Sequence, residues 1–253
     1  LASQVEVLTG RFGSMGFATG VAITGVAGIA VGAVAATKAL YDLGARWDAI
    51  GDSISQRTGI LGDDLDSLMQ AVSDVGDTTA ASLEAIGDVV GRLAQSMPDL
   101  IATNSDAFRQ MASNLAYLNE AGQSVDIKEL GMAFRVFNVD VNDQVKTLDE
   151  LNNVAQKTGI PIDNLISTVR SGAPQFRQFG LNLSQSTSLL AQFDQAGVSS
   201  EIAATGLRTA LKKLSAQGGD SGIALIGVID KIKMLHDAQE EGAAQQLAQD
   251  TFG

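Results

Sequence analysis

Near the start of the chain, Val26, Ile29, Ala33, Ala36, Leu40, Leu43, Trp47, Ile50 and Ile54 follow one another in alternating steps of three and four. Only an α-helix brings such a series onto one side, because its 3.6-residue turn makes positions i, i+3, i+4 and i+7 neighbours. Lys38, Asp42, Arg46, Asp48 and Asp52 all fall off that stripe. The spacing is sustained for about four heptads, as in a coiled-coil seam. It predicts one long helix from near Met15 to Gln56. Leu40, Leu43, Trp47, Ile50 and Ile54 are the candidate self-association residues of the seam, and packing of the same face against the rest of the chain fits the spacing equally well.

The first part of this helix overlaps a run with no charge at all, from Phe12 to Thr37. Twenty-six helical residues span about 39 Å, and a bilayer core is about 30 Å thick. Its six glycines would each cost about 1 kcal/mol relative to alanine in a water-exposed helix, so the segment needs lipid or close packing to persist. Gly16, Gly20, Thr24, Gly28, Gly32 and Ala36 recur every fourth position, the ridge on which two helices approach closely. Gly16, Gly20, Gly28 and Gly32 are therefore candidate membrane or self-association residues. Membrane insertion at some stage is the expectation, and burial as an Ala/Gly-rich helix in an assembly is its alternative.

The rest of the chain repeats the helical period in shorter pieces. Leu83, Ile86, Val90, Leu93 and Met97 make a stripe that starts near Thr79 and meets Pro98. Phe108, Met111, Leu115 and Leu118 make another, stopped at Gly122. Ser124 is placed to cap a helix carrying Ile127, Leu130, Phe134 and Phe137, and Val141, Val145, Leu148 and Leu151 follow. Alternating strand pattern is almost absent, and aromatic residues are only 5 % of a chain that is 45 % hydrophobic. The fold class is all-α, with a core of Ala, Leu, Ile and Val. QRTGILGDDL at 56–65 is echoed by QKTGIPIDNL at 156–165, which predicts a duplicated helix–turn–helix unit.

From Asn152 to Leu214 the chain reads as four short helices. Thr158-Gly159, Gly172 and Gly197 stand where a helix would end in a left-handed residue. Pro161 suits a first turn, and Asn182 with Gln185 imitates a capping box. The order of motifs is distinctive: Ala-Gln-Lys-Thr-Gly, a Gly-Ala-Pro turn, Phe-Gly-Leu-Asn-Leu, Gln-Ala-Gly-Val, then Gly-Leu-Arg-Thr-Ala-Leu-Lys-Lys-Leu. In this order the chain resembles the core region of the tail tape measure proteins of long-tailed bacteriophages, over roughly Trp47 to Gly253. The resemblance implies a long helical protein in the lumen of the phage tail that sets tube length during assembly. It also implies release ahead of the genome and help in carrying it across the host cell membrane. The implied partners are the tail tube protein, tail-tip or baseplate proteins, assembly chaperones and the host membrane, with the protein itself a homo-oligomer. The chain is expected to be an internal fragment of such a protein. Its expected divisions are an apolar transmembrane or self-associating helix at 1–46, a core helical domain at 47–216 and a truncated helical extension at 217–253.

Chemistry is scarce. A net charge of −12 argues against specific nucleic-acid binding, which needs basic stripes to displace counterions. There is no cysteine, and His236 is the only histidine. Neither a nucleophile triad nor a His-rich metal site can be assembled around it. Asp63, Asp64 and Asp66 suit a helix's first turn and lack the remainder of a calcium loop. No catalytic, cofactor or metal residues are expected, and no enzyme. Arg208, Lys212 and Lys213 form one basic cluster on a helix face, read as solvated, with an acidic partner as the alternative. The rival reading is a membrane-active pore-forming helical protein, which leaves the motifs at 152–214 unexplained. If residues 12–37 insert into bilayers, Val26→Lys should cost about 2.5–3.5 kcal/mol at mid-membrane. Co-sedimentation with liposomes should then fall sharply for this variant, and equal co-sedimentation of wild type and variant would contradict insertion.

Overall fold

The computed structural model describes residues 26–195, 200–216 and 221–252. All regular structure among these residues is helical. The helices are α1 (Val26–Thr58), α2 (Asp63–Gly76), α3 (Leu83–Ser96), α4 (Pro98–Thr103), α5 (Ser105–Glu120), α6 (Ile127–Phe137), α7 (Gln144–Thr158), α8 (Ile162–Gln178), α9 (Leu183–Gln195), α10 (Ser200–Ala216), α11 (Ser221–Asp237) and α12 (Glu241–Phe252). A 3-10 turn, Val141–Asp143, leads into α7. The chain divides into two compact units, Leu1–Gly122 and Gln123–Gly253.

In the first unit α3 is the centre, packed against α1, α2, α4 and α5. Its buried Ile86, Val89, Val90 and Leu93 recur in the three–four rhythm of one helix face. Ser82 caps it, its hydroxyl accepting from the Ala85 amide at 3.2 Å. Fully burying an aliphatic side chain of this size contributes about 1.5–3 kcal/mol, so the face holds α3 in place far more firmly than its cap. The long helix α1 lies on α3 through Ile50 and Ile54, both buried. Gly87 makes that approach: a Cβ built there would sit 2.5 Å from Ile50 Cγ2. Arg57 and Asp88 pair across the same interface at 2.9 Å.

In the second unit α8 and α9 are central. α8 packs against α6, α7, α9 and α10, while α12 joins α10 to α11. The bulkiest fully buried side chains, Phe134, Phe176 and Phe179, belong to this unit. α6 is tied to α8 by the Arg170–Glu129 ion pair and by Asp163 Oδ1, which accepts from the Asp126 amide at 2.7 Å. Phe252, at the end of α12, meets the edge of the Phe193 ring on α9, with centroids 6.1 Å apart, and lies beside Gly206 of α10.

The echoed decapeptides have the same structure. Gly59 and Gly159 both take φ +74°. Their amides donate 2.8 Å bonds to Ser55 and Ala155. The Thr58 and Thr158 hydroxyls each donate back into the preceding helix and accept from the amide of Ile60 or Ile160. Duplication extends well past this turn. Helices α1, α2, α3 and α5 of the first unit pack pairwise as α7, α8, α9 and α10 do in the second: first on second, first on third, second on third, second on fourth, third on fourth. The Thr-Gly turn and the cap of the third helix are each one hundred residues apart in the two units, so Ser82 matches Asn182, while the helix between them is longer in the second unit. The short α4 interrupts the first copy before its fourth helix.

Several local expectations change. Gly172 does not end a helix; α8 runs through it and through Pro174 to Gln178. Gly172 makes room instead, since a Cβ there would lie 2.7 Å from the Phe176 ring. The real stop is Gly180, φ +70°, where Leu181 donates to Phe176 and Gly180 to Arg177 in a Schellman closure. The α6 cap is Asp126, accepting from Lys128 and Glu129, rather than Ser124, and α3 begins at Leu83 rather than near Thr79. The capping box at Asn182 and Gln185 is present in both directions, at 2.8 and 3.0 Å. Gly197 lies outside the described residues, and of the long helix predicted from Met15 only the part from Val26 onward lies within them.

The Gly87–Ile50 contact gives a test. Gly87→Ala should destabilise by about 1–3 kcal/mol through overpacking. The cost should shrink when Ile50→Ala removes the clashing methyl group, giving a measurable coupling in a double-mutant cycle by urea denaturation.

Candidate functional site

The seam residues divide between two situations. Ile50 and Ile54 are core residues of the first unit, covered by α3, and Leu43 and Trp47 are half-buried. The structure therefore uses the lower seam for packing within the chain, and Ile50 and Ile54 are not open to a second copy in this arrangement. Gly28 and Gly32 lie on the first two turns of α1, and Leu40 lies further along it. Gly16 and Gly20 lie outside the described residues, as does most of the uncharged run 12–37. Among the described residues no helix is long and apolar enough to cross a membrane.

Both units carry a groove at the same place in the repeat. In the second unit a cleft of about 560 Å³ opens between α7, α9 and α11. Val154 and Leu189 line it from α7 and α9, Ile226 and Ile229 from α11, with Lys157 and Asp230 beside them. Glu150 also lines it and accepts from the Ser184 hydroxyl, linking α7 to α9. Next to Glu150, the carboxyl of Asp149 is pushed above its ordinary value by partial desolvation. In the first unit a groove of about 240 Å³ lies between α1 and α3, lined by Arg46, Ala49, Ile50, Ser53, Gly87 and Asp88, with Glu84 beside them. Ser53 and Asn153, Glu84 and Ser184, Asp88 and Ser188 are pairs of lining residues one hundred positions apart. Neither groove is legible in the sequence, because each is made by helices that meet only in the folded chain.

The basic cluster is largely committed to internal bonds. Lys213 Nζ donates to the Asp250 carbonyl at 2.7 Å, and Arg208 Nε reaches the Gln175 side-chain oxygen at 2.9 Å when that amide is turned to satisfy both of its neighbours. Lys212 remains exposed. His236 is on an exposed helix face, its Nδ1 2.8 Å from Glu241. Asp63, Asp64 and Asp66 occupy the first turn of α2. Among the described residues no cluster of His, Asp or Glu could hold a metal ion.

Comparison with known proteins gives the chain a family. A family model described as phage-related minor tail protein matches residues 69–252, well over half of the chain. The chain belongs to the phage-related minor tail protein family. No curated protein and no solved structure matches it. The match begins at Met69 within α2 and ends at Phe252, so in this minor tail protein it takes in nearly all of the second unit and the part of the first that follows the start of α2. Membership associates the chain with the phage tail and with the other proteins of that assembly.

Because Ile50 is 5 % exposed, Ile50→Asp should bury a charge without a partner and lower stability by more than about 2 kcal/mol. Tyr41→Asp, at a side chain 76 % exposed, should leave the melting temperature nearly unchanged. Thermal denaturation of the two variants checks this, and equal melting temperatures would contradict the packing of α1 on α3.

Proposed function

We propose that this minor tail protein acts as a tail tape measure: an assembly scaffold that fixes the length of the tail tube. The observation that carries the reading is the family match over residues 69–252. It is supported by the ordered motifs from Asn152 to Leu214 and by helical structure throughout the described residues. A ruler needs stiffness along its axis and contacts with tube subunits, and a continuous helix supplies a fixed rise of about 1.5 Å per residue. The 33 residues of α1 are the longest such piece described. No catalysis is required. At infection the protein would leave the tube ahead of the genome, and the uncharged stretch 12–37 would then help it enter the host membrane.

A compact unit contributes its folded width to a ruler, and a continuous helix its length. Helical sequence inserted in frame before Val26 in the encoding phage should lengthen the tail by about 1.5 Å per residue, or about 90 Å for sixty residues. Electron microscopy of tails from a graded insertion series reads this out. Infectious particles with tails of constant length across the series would refute the tape-measure reading.

A further inference from the structure

The cleft of the second unit has two walls that match each other. α7 and α9 form one, with Val154 and Leu189 as its apolar part and Lys157 at its edge. α11 forms the other, with Ile226 and Ile229 as the apolar part and Asp230 and Lys233 beside them. These four residues follow one another in steps of three, one and three, so they share one face of the helix. An open space of about 560 Å³ lies between that face and the opposite wall.

α11 is lightly held. It reads SGIALIGVIDKIKMLHD, yet only Gly222 and Leu225 are buried. Ile226 is 44 % exposed, and Ile229 and, across the cleft, Val154 are half-buried. The helix packs on α10 and α12 rather than on the α7–α9 wall. Elements with few buried apolar contacts are the ones that move while the rest of a domain holds. α12, by contrast, is anchored. Phe252 meets the Phe193 ring of α9, and the Asp250 carbonyl accepts from Lys213 of α10. It supplies a fixed base on which α11 can tilt.

Charge agrees with shape. Among the described residues Lys157, Asp230 and Lys233 have no ion-pair partner. Glu150, the other acid of the cleft, is occupied by Lys146 and by the Ser184 hydroxyl. Moving α11 toward α7 therefore brings an unpaired anion to an unpaired cation while apolar surface on both walls leaves water. The second effect drives closure, and the ion pair, at the rim, sets its alignment more than its strength.

We propose that α11 is a lid on this cleft: it tilts on α12 to bury Ile226 and Ile229 against Val154 and Leu189 and to pair Asp230 with Lys157. The structure shows the open form. The second unit then has two states, one that presents its apolar walls to a partner and one that hides them. The proposal does not depend on the tape-measure role.

The chain has no cysteine, so spin labels attach only at introduced thiols. The full-length chain with Asn153→Cys and Lys233→Cys carries one label on each wall, both at exposed positions. Double electron–electron resonance should show a population with the labels closer together than in the open structure. Ile226→Asp should abolish that population, because closure would place a charge in an apolar contact. Asp230→Lys sets like charge against Lys157 and should reduce it. Asp230 is exposed, so this variant keeps the test readable should Ile226→Asp disturb α11. The circular dichroism spectrum should be unchanged in both. Only the open distance in every chain, or a closer population of equal size in all of them, would overturn the lid.

Discussion

Each unit depends on one sharp reversal, the Thr-Gly turn at 58–59 and again at 158–159. The glycine takes a left-handed conformation that costs other residues about 1 kcal/mol or more, and the threonine hydroxyl bonds both the helix behind and the chain ahead. This fixes the direction in which the second helix leaves the first. The third helix then packs against both, and the fourth against the second and third, in the same pairwise pattern in the two units. A defined turn repeated in sequence thus becomes a four-helix arrangement repeated in space.

The units fill that shared plan differently. The first brings its helices close with small residues, as at Gly87 beneath Ile50, and fastens them at the rim with Arg57 and Asp88. At the position matching Gly87 the second unit has a buried threonine, Thr187, whose hydroxyl donates to Leu183 in its own helix. The second unit relies on Phe134, Phe176 and Phe179 for bulk, and Gly172 is kept small for one of those rings. Buried volume can be conserved while the residues supplying it change, so the duplication is plain in the packing and faint along the sequence.

For a protein of the phage tail this construction has a direct consequence. Some of its charges pair between its own helices, such as Arg109 with Asp74 and Arg170 with Glu129. What it offers outward are helix faces and grooves, the means by which helical proteins join one another without chemistry.

The sequence by itself determined the fold class and some helix ends, such as those at Gly159 and Asn182. Periodicity at 3.6 residues is a local property of the chain, and caps such as Asn182 with Gln185 are made within a few residues. It also determined the duplicated turn, since Thr-Gly carries its own left-handed geometry. What a local reading could not tell was whether a glycine stops a helix or makes room for a neighbour. Gly172 sits inside α8 beside the Phe176 ring, whereas Gly180 takes the left-handed conformation that ends it. In the same way the seam at Ile50 and Ile54 was consistent with a partner inside or outside the chain. The tertiary structure decided for α3, because burial depends on which surfaces meet, and residues more than thirty positions apart meet only once the chain has folded.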